Sequence, residues 1–178
     1  MARIVTISGS PSQTSRTSML ARHVGGKLAA DGFAVDSIEV RELPAEDLLL
    51  ARATAPGISA ALGLIERADA VVIATPTYKA AYSGILKAFL DLMPQFGLAG
   101  KVVLPLATGG SMAHVLAIDY ALRPVLTSLN PLHVVAGLFI WEKHLEKTAE
   151  GGLTLEAGMA KWLDEIVADF ARALRRVK

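Results

Sequence analysis

The chain has 178 residues, enough for one domain with a sizeable core and too few for a second independent one. With 52% hydrophobic and 20% charged residues it is no disordered chain, and 18 Lys and Arg against 17 Asp and Glu leave a formal charge of +1, no field to gather a nucleic acid or an anionic membrane. Cysteine is absent, which removes disulfides, thiolate nucleophiles and Cys-ligated metals, and the four histidines are scattered without any HExxH pattern.

The first apolar run breaks early, at Ser8-Gly9-Ser10-Pro11, and no stretch approaches the roughly 18 apolar residues of a membrane span. A cytoplasmic protein is expected. Residues 4–7 read as a strand, followed after a polar loop by a helix at 17–30 with Leu20, Val24, Lys27 and Leu28 on one face, ended by Asp31-Gly32. Strands follow at 35–40 and at 71–74, the latter apolar throughout as a strand covered on both faces should be. Further strands lie at 102–107 and 134–139, with helices at 56–67, 84–93, 113–129 and 155–177. The last helix carries a stripe of Leu155, Met159, Trp162, Ile166, Phe170 and Val177, and residues 142–154 read as loop. This alternation predicts an α/β fold, a flavodoxin-like five-stranded parallel sheet with helices on both faces, as a single domain over residues 1–178.

In such a sheet ligands sit beyond the carboxyl ends of the strands. The loop after the first strand, Gly9 to Ser18, is rich in hydroxyls and opens a helix, so Ser10, Ser12, Ser15, Arg16 and Thr17 form a candidate phosphate cradle. Taken alone, Thr14 or Ser15 could equally be an ordinary helix cap. No GxGxxG follows the strand and no GxxxxGK[ST] occurs, and the strand ends lack the carboxylates that a magnesium site needs. After the third strand, Pro76 sets the backbone direction and the N–H groups of Thr77, Tyr78 and Lys79 are expected to be free to face a ring edge, although an ordinary turn with Tyr78 and Tyr82 as partial core is the plainer reading. After the fourth, Thr108, Gly109, Gly110 and Ser111 offer a wall that a flat ring could approach, and a side chain at Gly109 is expected to intrude on that ring. His114 either caps the next helix, faces the ring or lies on the surface. Phosphate site, ring edge and glycine wall together suit FMN.

The runs GSP…SRTS, ATPTYKAAYSGILKAFLDLMP and KVVLPLATGGSMAHVLAIDYALRPVL resemble the NAD(P)H-dependent FMN reductase family, above all the reductase component of two-component alkanesulfonate monooxygenase systems, over nearly the whole chain. The resemblance implies that Ser10, Ser15, Arg16 and Thr17 hold the FMN phosphate and that Pro76, Thr77, Tyr78, Lys79 and Thr108, Gly109, Gly110, Ser111 line the ring. Many relatives have Arg where this chain has Ser12, which places more weight on Arg16. It also implies hydride transfer from NADPH, or NADH, to FMN used as a substrate, without an acid–base pair, and delivery of reduced FMN to a flavin-dependent monooxygenase. Rival readings are an FMN-bound quinone or azo-dye reductase and a flavodoxin-type electron carrier. Leu116 and Tyr120 fall off the main apolar stripe of helix 113–129, Val115, Ile118, Leu122, Val125, Leu126 and Leu129, and so predict a homo-dimer or tetramer interface there. Pro124 is expected to distort that helix.

Overall fold

The computed structural model describes residues 1–149 and 151–177. The chain runs through β1 (Arg3–Ser8), α1 (Arg16–Ala30), β2 (Ala34–Glu39), α2 (Ala45–Leu49) and α3 (Pro56–Arg67). It continues with β3 (Ala70–Tyr78), β4 (Ala81–Tyr82), α4 (Gly84–Leu90), β5 (Val102–Gly109) and α5 (Arg123–Ser128). β6 (His133–Val134), β7 (Leu138–Trp141), β8 (Leu145–Lys147), β9 (Leu153–Leu155) and α6 (Ala157–Arg176) complete it. The parallel sheet has the order β2-β1-β3-β5-β6, with β7 continuing the fifth position beside β5. This is the flavodoxin-like order.

Alternation along each strand divides the core between two layers of helix. Ile4, Val72, Leu104 and Leu106 pack under α1 and α6, whereas Val5, Ile7, Val71, Ile73 and Val103 pack under α3, α4 and α5. Phe170 and Phe89 are fully buried, one on each side, and each such side chain stabilises the fold by about 1.5–3 kcal/mol.

The fifth strand departs from the expected unbroken run at 134–139. Val135 N–H donates to Val103 O (2.9 Å), so alternate residues of β5 present their backbone to this strand, and Pro105 falls on that side with no N–H to offer. Val103 faces Val134 but Leu106 faces Leu138, which leaves one extra residue opposite the proline. Gly137 permits the close passage, since a Cβ there would lie 2.8 Å from Pro105 O.

Three other expectations are corrected. Helix 113–129 is broken: a 3-10 turn at Met112–His114 leads to a π-helical turn at Ile118–Leu122, and only Arg123–Ser128 is α-helical. Pro124 cannot bond the Tyr120 carbonyl, and Arg123 N–H reaches back to Ile118 O, widening the turn ahead of it. In α6 the buried face is Leu163, Ile166, Val167, Phe170, Ala171 and Leu174, while Trp162 and Val177 are exposed and Leu155 belongs to β9. The loop expected at 142–154, whose Glu150 lies outside the described residues, contains an antiparallel hairpin in which Leu145 pairs with Leu155 and Lys147 with Leu153.

Candidate active site

The carboxyl ends of β1, β3 and β5 lie side by side because these strands are neighbours in register, Ser8 beside Ala74 and Pro76 beside Thr108. Backbone and hydroxyl bonds then tie the three loops together. Gly9 N–H donates to Ala74 O (2.8 Å), and the Ser83 hydroxyl donates to Gly9 O. Ser15 caps α1 by accepting from Ser18 N–H (3.2 Å), and buried Ser10 accepts from Ser12 N–H (3.3 Å). The Thr17 and Thr108 hydroxyls share a hydrogen bond of 2.6 Å, fastening the first loop to the end of β5.

Beneath this loop runs a charged network that sequence reasoning missed. Ser18 Oγ donates to Glu39 Oε2 (2.8 Å), while Arg41 Nη1 donates to Ser12 O (3.0 Å) and to Ser18 Oγ (2.9 Å). Arg22 and Arg41 both pair with Glu39, at 3.1 and 3.0 Å. The available signal was positional: Glu39 ends the strand next to β1 and faces Ser8 in register. Arg16, placed in the cradle by its sequence position, extends across the loop to the hairpin. Its Nε donates to Leu145 O (3.1 Å), and its Nη1 lies 3.3 Å from Glu142 Oε2. Lys147 Nζ adds a bond to Thr14 O.

At the end of β3 the expectation that the Thr77 and Tyr78 N–H groups face no neighbouring strand is corrected. Thr77 pairs with Tyr82 and Tyr78 with Ala81, so β4 occupies part of that edge. The turn between them is made by Lys79 (φ 49°) and Ala80 (φ 64°), an arrangement that normally favours glycine or asparagine and here holds strain at the rim. Thr75 Oγ1 donates to Pro76 O (2.9 Å) and accepts from Ser83 N–H (3.0 Å), fixing the chain direction. Thr77 Oγ1 is buried and has no hydrogen-bond partner among the described residues. Tyr78 is half-exposed, and burial pushes the Tyr82 phenol above its ordinary pKa.

The β5 wall is asymmetric. A Cβ on Gly109 would lie 2.8 Å from Phe139 Cζ and 3.5 Å from Thr77 Cβ, so this glycine serves packing behind the wall. A Cβ on Gly110 would meet nothing within 4 Å. The wall is held by Trp141, whose Nε1–H donates to Gly110 O (3.0 Å), with Lys143 Nζ 3.6 Å from the Trp141 ring centre. Ser111 caps the following turn through Ala113 N–H (3.2 Å), and His114 sits half-buried at the end of that turn.

This arrangement suits a mononucleotide with a flat heterocycle. Hydroxyls and a helix amino terminus offer donors to an anion, and the open space beside Gly110 leaves room for a flat ring. A family model described as NADPH-dependent FMN reductase matches residues 2–146. An FMN reductase (NADPH) of Pseudomonas putida is 43% identical over 166 residues, covering 93% of this chain and 83% of its own length. One of Escherichia coli is 46% identical over 137 residues, covering 77% and 72%. Among solved structures, the apo form of the NADH:FMN oxidoreductase EmoB matches with a TM-score of 0.88 at 41% identity, over 97% of this chain and 90% of its own.

Proposed function

Because the chain belongs to the NADPH-dependent FMN reductase family, and is thus an oxidoreductase that uses FMN and NAD(P)H, we propose that FMN is its exchangeable substrate and that reduced FMN leaves for a second enzyme. The group supplies the two-electron acceptor for the nicotinamide hydride. The protein's own part is binding and alignment: Ser10, Ser12, Ser15, Arg16 and Thr17 hold the phosphate, Pro76 to Lys79 take the ring edge, and Thr108 to Ser111 support its face. Peptide N–H groups of the Gly110-Ser111 wall favour the negative charge that reduction places on the ring. One domain carries this site. The observation that carries the assignment is the hydroxyl-rich loop at the amino terminus of α1, fastened by the Thr17–Thr108 hydrogen bond to the end of β5, where the space beside Gly110 is open.

The resemblance to alkanesulfonate systems supports a cytoplasmic role with a flavin-dependent monooxygenase as recipient, in organosulfonate desulfonation, and with NADPH as donor and NADH as its alternative. No described helix is long and apolar enough to cross a membrane. Purified protein is expected to oxidise NADPH or NADH only when free FMN is added, in stoichiometric amounts, and to be nearly colourless as isolated. A yellow protein that reduces quinones without added FMN overturns the substrate reading.

Assembly into a homo-dimer or tetramer through Leu116 and Tyr120 is part of the same proposal. Both are uncovered, 53% and 79% exposed, and Tyr120 stands on the π-helical turn. Tyr120→Asp is expected to shift the mass measured by light scattering to a smaller species. A monomeric parent, or unchanged assembly in the variant, removes Tyr120 from the contact.

A further inference from the structure

The hairpin and the turn before it reach over the phosphate cradle and hold it through Glu142, Leu145 and Lys147. Leu145 O and the Lys147 ammonium are the partners such a loop would be expected to meet, a backbone acceptor on the arginine and a cation near the anion site. Glu142 is not. A carboxylate has the same bidentate complementarity to a guanidinium as a phosphate does, so it competes for the group that the cradle offers its ligand.

The geometry makes this competition specific. Nε of Arg16 is taken by Leu145 O and Nη1 by Glu142, which leaves Nη2 without a bond among the described residues. Glu142 meets Nη1 through a single oxygen, so a phosphate that draws on Nη1 and Nη2 together shares Nη1 with the carboxylate or displaces it. Both partners of the pair are 39% exposed, so the contact is open to exchange. Any dianion on Arg16 also lies well inside the Debye length of about 8 Å from the Glu142 charge. Arg16 does not need Glu142 for its orientation, because the Nε bond to Leu145 O already fixes it.

We infer that Glu142 is a specificity-setting residue that weakens the hold on phosphate-bearing flavin, by drawing on Nη1 of Arg16 and repelling the phosphate, and so makes FMN easy to release. This rests on the assignment of Arg16 to the FMN phosphate. It adds a residue outside the cradle's own sequence, with a sign opposite to that of an ordinary binding residue: its removal tightens binding.

The test is titration of FMN and of riboflavin, followed by flavin fluorescence, into the parent, Glu142→Gln, Glu142→Ser and Arg16→Ala. Glu142→Gln keeps an acceptor for Arg16 while removing the charge. It is expected to bind FMN about fivefold tighter, the size of one half-exposed charge contact, with riboflavin unchanged and the gain shrinking in high salt. Glu142→Ser is expected to move FMN affinity in the same direction. Unchanged or weaker FMN binding in both Glu142 variants, while Arg16→Ala still loses FMN selectively, overturns the inference and leaves the phosphate assignment standing. If Arg16→Ala affects FMN and riboflavin alike, the assignment itself fails and the inference with it.

Discussion

Valine at position 110 is expected to weaken FMN binding by about 5- to 150-fold in a protein that melts where the parent does. The space beside Gly110 is empty of protein atoms, so the fold has room for the side chain and any cost falls on the ligand. Forcing extra methyl groups into a packed contact costs about 1–3 kcal/mol, which sets that range. Valine at position 109 should behave in the opposite way. Its Cβ would lie 2.8 Å from Phe139 Cζ and 3.0 Å from Cε2, so Phe139 must shift. The same 1–3 kcal/mol then appears as lost stability, lowering the melting temperature by about 3–10 °C in a domain of this size. Thermal melting and fluorescence titration of the two variants separate these effects. Unchanged FMN affinity in a folded Gly110→Val protein would show that the ring lies elsewhere.

Arg16→Ala is expected to cost about 1.5–3 kcal/mol of FMN affinity, the range for a charge-assisted bond, and to leave riboflavin nearly untouched. The contrast between the two flavins isolates the phosphate. The truncation also releases Leu145 O and Glu142, but both members of the lost ion pair are partly solvated, so its stability cost is within about 1 kcal/mol. A melting curve near the parent's, together with selective loss of FMN, is the expected result. Equal losses for both flavins would remove Arg16 from the phosphate site.

The sheet and the polar loop that opens α1 were legible in the sequence for the same reason: both are local. The apolar run Val71-Val72-Ile73-Ala74 and the hydroxyl-rich segment before α1 declare themselves within a few residues, and of the two residues that could cap that helix, Thr14 and Ser15, Ser15 does so. Pro124 likewise announced a distortion, though not that the turn would widen into a π-helix. What stayed hidden depends on distant partners. β8 and β9 are three residues each and too short for periodicity to show. Trp162 shares the helical spacing of Met159, Ile166 and Phe170, yet the sheet meets the helix face one position further on, through Leu163 and Val167. Gly109 and Gly110 look equivalent in sequence, and only Phe139, brought alongside by β7, tells them apart.

The hairpin's grip on the cradle also orders events during synthesis. Arg16 and Glu142 are 126 residues apart along the chain, and Lys147 and Thr14 are 133 apart. Contacts of such separation close the longest loops and form after local ones. A growing chain that has not yet reached residue 142 therefore has the hydroxyls and the helix amino terminus of the cradle, but its arginine is neither anchored nor opposed. Any effect of Glu142 on Arg16 therefore arises only after residue 142 has been made. A ribosome-bound fragment that already folds its first strands would carry Arg16 without the carboxylate that pairs with it in the folded chain.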